Sequence, residues 1–256
     1  MWPALRCRHF FYLMELIFAG ILGLVVGVVV CVVSVRLPQS MQVDTDNFAA
    51  LVSGKEPPHA PFPVLPIESL AQLFPLSLRT VVACLLCALL SLMTIFFFGV
   101  TPRGLAVLCF TYILTTLFAV DIEAQLLPDS LTYPLMWLGL LVSVNGTFVS
   151  ADSAIIGAIL GYMALWALAA SYKYVTNNDG MGNGDFKLMA ALGAWHGYES
   201  LFAILIIAFA AAFVAWLLRF VRMSTERRQA FAFGPYMALA GLANFYIDAN
   251  KAMNLI

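Results

Sequence analysis

Two aspartates stand out because each adjoins strongly apolar sequence. Asp121 follows the run LAVLCFTYILTTLFAV, and Asp185 closes Gly180-Met181-Gly182-Asn183-Gly184-Asp185. A carboxylate at the edge of a hydrocarbon layer is costly, so an ionisable residue there is a functional-site hypothesis by default. Two carboxylates brought together cannot both ionise easily, and one keeps a proton while the other accepts one from water. Such a pair can activate water against a peptide carbonyl and protonate the leaving amine without a metal or cofactor. The two positions are 64 residues apart, so only the fold can bring them together.

The neighbours of each acid have simpler readings as well. Asp121 opens Asp121-Ile-Glu-Ala-Gln-Leu-Leu-Pro-Asp129. Pro128 restricts Leu127 away from helical geometry and suits the start of a new helix. Asp129 then reads as an acid stabilised at a helix N-terminus, and Glu123 as a solvated charge. Ahead of Asp185, Gly182 and Gly184 allow backbone conformations closed to other residues and a close approach of another segment. Lys187 is placed to snorkel toward a membrane surface. The plainer reading of this stretch is a loop whose Asp185 caps the next helix, and spacing alone does not choose between the two.

The elements that must position these residues are membrane helices. The chain has 256 residues, of which 62% are hydrophobic and 11% charged, with a mean hydropathy of +0.93. A soluble domain carries about 25% charged residues. Apolar runs of about 20 residues favour helices over a membrane barrel. The expected fold is an all-α polytopic membrane helix bundle. Its spans lie near 11–35, 80–100, 104–120, 131–149, 153–174, 199–221 and 232–248, with a short or broken span at 186–195, about eight in all. Residues 11–35 are long for a signal-peptide core and lack a small-residue cleavage site before Arg36, so they read as a retained helix. Met14 is an alternative start that would leave the fold intact.

Three regions follow: 1–36, an N-terminal segment with the first span; 37–79, a proline-rich loop without long helices; and 80–256, the membrane domain that holds both aspartates. With the 37–79 loop in the cytoplasm, nine basic residues fall on or near that side (Arg36, Lys55, Arg79, Lys173, Lys187, Arg219, Arg222, Arg227 and Arg228) and four fall opposite (Arg6, Arg8, Arg103 and Lys251). The positive-inside rule favours that orientation. It requires 186–195 to cross, and it puts Asp121 and Asp185 at cytoplasmic helix ends. The Arg219–Arg228 cluster reads as a stop-transfer anchor.

A net charge of −1 gives no field that would recruit nucleic acid. The five cysteines lie mostly in apolar runs, and Cys84-Leu-Leu-Cys87 has no second pair, so they read as small packing residues. The three histidines form no metal cluster, and His196 reads as a loop residue near the membrane surface. Gly157-Ala-Ile-Leu-Gly161 has GxxxG spacing and reads either as an internal packing face or as a homodimer face.

At these residues the chain resembles the type IV prepilin peptidases, the bacterial branch of the GxGD aspartyl proteases. The matching text is GVVVCVVSVRLP from Gly27 to Pro38, DIEAQLLPDSLTYPLMWLGL from Asp121, GMGNGDFKLMAALGAWHG from Gly180, and FGPYMALAG from Phe233. The resemblance implies that Asp121 and Asp185 are the catalytic aspartates and that Pro128, Asp129, Gly182, Gly184 and Lys187 support the catalytic loops. It implies cleavage of a short basic leader from type IV prepilins or pseudopilins at the cytoplasmic face of the bacterial inner membrane, within the lipid bilayer and with no cofactor for proteolysis. Many members also methylate the new N-terminus with S-adenosylmethionine. Their first loop typically carries two CxxC pairs suited to zinc, whereas residues 37–79 here contain no cysteine and Cys31 stands where the family usually has asparagine. That departure argues against zinc and leaves methylation open. Two rival readings remain at this stage. An ion-coupled transporter would use Asp121 and Asp185 as proton or cation sites, and a structural membrane subunit would use neither.

Overall fold

The computed structural model describes residues 2–58, 78–178, 180–222 and 232–254. The side chains of 2–12, 219–222 and 251–254 fall outside that description. So do most prolines of the 37–79 segment, the Arg227 and Arg228 end of the basic cluster, and His59. The described residues form seven helices and no strand: α1 Trp2–Val52, α2 Leu78–Phe98, α3 Pro102–Ala124, α4 Asp129–Val144, α5 Ala151–Thr176, α6 Asn183–Arg222 and α7 Gly234–Asn254. Five of them, α1, α2, α3, α5 and α6, are long and apolar enough to cross a membrane, and α4 is a shorter apolar helix. The protein is therefore a multi-pass, all-helical membrane protein. Its packing separates two compact units, Met1–Ala124 and Gln125–Ile256, a division that falls inside the 80–256 region expected to form one domain.

In the first unit, α1 packs on α2 and α3. Glycines let the backbones close: a Cβ at Gly23 would lie 2.5 Å from Ala88 Cα, and one at Gly27 would run into Cys84 Cα. Cys87 is buried, Cys31 and Cys84 are half-buried, and all three are free thiols, as small packing residues would be. α1 passes straight through Pro38 to Val52, so residues 37–52 are helix and not the start of a loop. A single proline removes one backbone hydrogen bond and bends a helix without necessarily ending it. The next proline, Pro57, lies beyond the end of α1.

Local signals set the ends of α3. The Thr101 hydroxyl accepts from Gly104 N–H at 3.0 Å, and Pro102 takes the first helical position, where its missing N–H costs nothing. The helix continues four residues past Val120, so Asp121 lies inside its last turn. The chain then leaves α3 through Gln125, at φ 54°.

In the second unit, α6 is the hub, packed on α4, α5 and α7. Residues 188–197 are buried all round, as a helix enclosed by neighbours must be. The α5–α6 contact is a meeting of glycines: a Cβ at Gly157 would lie 2.5 Å from Gly193 O, and one at Gly161 would lie 2.6 Å from Met189 O. The GxxxG spacing on α5 is thus an internal packing face. Gly197, at φ 73° and ψ 173°, breaks α6 into two limbs, which correspond to the separate stretches 186–195 and 199–221 expected from hydropathy. A side chain there would be strained and would meet Ser153 Oγ. α4 stops at Val144 with Asn145 as its cap and Gly146 at φ 60°, five residues short of the expected 149. Asn-Gly is a turn signal that outweighs the apolar residues around it.

Candidate functional site

Of the acids whose placement is described, Asp121 and Asp185 alone are buried, at 4% and 9% exposure. Asp129, Asp152, Glu123, Glu199 and Asp248 are exposed. A buried charge is expensive unless other groups compensate it, so among the described acids these two positions are the ones that need explaining. They belong to different compact units, and each is built by its own surroundings.

Asp121 ends the buried face of α3, which runs through Phe110, Leu114, Leu117 and Val120, each with 0% exposure. Two residues on, Glu123 Oε1 lies 2.9 Å from Arg79 Nη1 at the start of α2. Glu123 is therefore ion-paired, not simply solvated. Sequence reasoning missed this pair because Arg79 and Glu123 come from distant segments.

Asp185 lies in the first turn of α6. Its N–H bonds to Gly182 O at 3.2 Å. Its Oδ2 is 3.8 Å from the place a Gly182 Cβ would occupy. The carboxylate thus lies near Gly182, the residue just before the helix. Helix capping and chemistry are compatible roles for Asp185. Neither Gly182 nor Gly184 has a positive φ, so the expected unusual backbone conformation is not what these glycines supply. Gly184 supplies space: a Cβ there would lie 2.7 Å from Leu127 Cβ. Gly182 has open room.

The segment after α3 is thereby laid against the start of α6. Leu127 abuts Gly184, and Pro128 is buried beside it. Pro128 opens α4, its carbonyl accepting from Leu131 N–H and Thr132 N–H at 3.0 and 3.1 Å. Asp129, in the first turn, makes no capping bond. Its two oxygens instead accept from Lys187 Nζ at 2.6 and 2.8 Å, and that ammonium sits 5.2 Å from the Tyr133 ring centre. The expected cap and the expected snorkelling lysine are each other's partners.

The far end of this limb holds polar residues that the sequence did not reveal as buried. Trp195 Nε1 donates to Leu135 O at 2.7 Å. His196 is 5% exposed inside α6, not in a loop, with Asn244 Nδ2 of α7 3.1 Å from its Nδ1. No group of three or more His, Cys, Asp or Glu side chains suited to a metal occurs among the described residues.

A profile of the type IV leader peptidase family matches residues 108–217, a span that includes both buried acids. Among curated proteins, the chain is 37% identical over 218 residues to a prepilin leader peptidase/N-methyltransferase of Aeromonas hydrophila, covering 80% of this chain and 75% of that one. It is 35% identical over 252 residues to the protein of the same name from Stutzerimonas stutzeri, covering 87% of each. A Neisseria gonorrhoeae relative of that name is 44% identical over 134 residues, covering 52% of this chain and 46% of its own. No solved structure matches. The chain belongs to the type IV leader peptidase family. It is a membrane peptidase, which decides against the carrier and structural-subunit readings.

Proposed function

We propose that this protein is an aspartic endopeptidase that removes the basic leader from type IV prepilins or prepilin-like proteins at the cytoplasmic face of the bacterial inner membrane. One observation carries the choice of residues: the two acids singled out by their sequence setting are the two described acids that are buried. In the proposed reaction one carboxylate takes a proton from water as its oxygen attacks the scissile carbonyl carbon. The other gives a proton to the leaving amine as the C–N bond breaks. The substrate class rests on what the relatives are called.

The same names include an N-methyltransferase. S-adenosylmethionine enters only if that second activity is retained. The test is to express Asp121→Asn and Asp185→Asn separately in membranes with a type IV prepilin and to read the substrate N-terminus by mass spectrometry. Loss of cleavage in both variants is expected, and full processing by either one overturns the assignment. The wild-type product mass also reports whether a methyl group has been added.

A further inference from the structure

Each buried aspartate is followed, two residues later, by a charged residue paired with a neighbouring helix of its own unit. Glu123 and Arg79 join the last turn of α3 to the start of α2 at 2.9 Å. Lys187 and Asp129 join the first turn of α6 to the first turn of α4 at 2.6 and 2.8 Å, beneath the Tyr133 ring. Residues i and i+2 of a helix do not face each other. Each ion pair therefore engages its helix through a side chain that does not share the aspartate's own face.

Both aspartates also lie in terminal turns, where backbone groups lack intrahelical partners and helices fray. A lateral tether in the same turn opposes fraying and fixes the rotation of the helix about its axis. Exposed ion pairs contribute little to global stability, so the effect of such a tether falls on geometry.

We infer that Lys187–Asp129 and Arg79–Glu123 are positioning pairs, each setting the orientation of the turn that carries a catalytic aspartate. This rests on the proposed roles of Asp121 and Asp185. The pairs are not equivalent. Lys187 reaches both oxygens of its partner and a ring, while Arg79 makes one contact from a more exposed position.

The test uses the full-length protein in detergent with a purified type IV prepilin. Lys187→Met is expected to lower kcat about 10-fold with KM unchanged, because small misplacements of reacting groups are costly. Its melting temperature should stay near wild type. Lys187→Arg should restore most of the turnover, and exchanging the charges by Lys187→Asp with Asp129→Lys should recover part of it. Arg79→Gln is expected to cost about 3-fold on the same grounds. Wild-type kcat in Lys187→Met overturns the inference, as does a loss that tracks a lowered melting temperature and that Lys187→Arg does not relieve. Asp185→Asn run alongside separates the two layers. If it is inactive while Lys187→Met is fully active, the pairs lose their role and the aspartate assignment stands. If Asp185→Asn is active, the assignment fails and the pairs fail with it.

Discussion

The two compact units carry their aspartates in opposite ways. In the first, Asp121 comes at the end of its helix, after a buried face in a helix that packs on α1 and α2. In the second, Asp185 comes at the beginning, and the limb that follows it is enclosed by three helices. The first turn of a helix presents free N–H groups and favours negative charge, and the last turn presents free carbonyls and does not. Two identical side chains thereby meet backbones of opposite polarity. Under the proposed mechanism, this difference would make Asp185 the base that takes the proton from water and Asp121 the acid that serves the leaving amine.

The strongest way to break this comparison is to neutralise each acid in turn. Asp185→Asn and Asp121→Asn should each reduce prepilin cleavage by about 10²- to 10⁴-fold, the usual contribution of a positioned acid or base. Asn copies the uncharged form of the acid, so residual cleavage should be greater in Asp121→Asn. The reverse order in a quantitative processing assay would exchange the assigned roles.

Packing offers a second contrast, smaller in its effect on turnover. Gly193→Val would drive a side chain into Gly157 O, and Gly27→Val would drive one into Cys84 Cα. Overpacking of this kind costs about 1–3 kcal/mol. Because α6 is the hub of the second unit, Gly193→Val should lower both the melting temperature in detergent and activity. Gly27→Val should lower stability more than it lowers kcat. Equal losses of kcat would show that the first unit is as tightly coupled to the chemistry as the second.

The smallest expected effect separates two glycines of one motif. Gly184→Ala meets Leu127 and should reduce turnover by several fold, whereas Gly182→Ala has room, with the nearest atom 3.8 Å away, and should be near wild type. Initial rates of the two alanine variants measured side by side would check this. Equal sensitivity would mean that Gly182 is needed for something other than space.

Much of this could be read along the chain, because it depends on local rules. Apolar runs of the right length marked the helices. Asn145-Gly146 and Thr101-Pro102 are turn and cap signals whose effect on helix ends is local. Asp121 and Asp185 were recognisable as unusual acids from their flanks alone. The errors share one cause. Glu123 read as solvated and His196 as a loop residue, and the pairing of Asp129 with Lys187 went unforeseen, because each was judged by its neighbours in sequence. Their partners, Arg79, Lys187 with Asp129, and Asn244, lie tens of residues away.

The amino-acid sequence by itself therefore determined that this is a helical membrane protein with two costly carboxylates, since hydropathy and the price of a buried charge are properties of the residues. Tertiary structure alone decided that both acids are buried while nearby Asp129 is not, that the GxxxG face is used inside the protein, and which charges meet. Burial and ion pairing are relations between segments, and no rule of local spacing contains them.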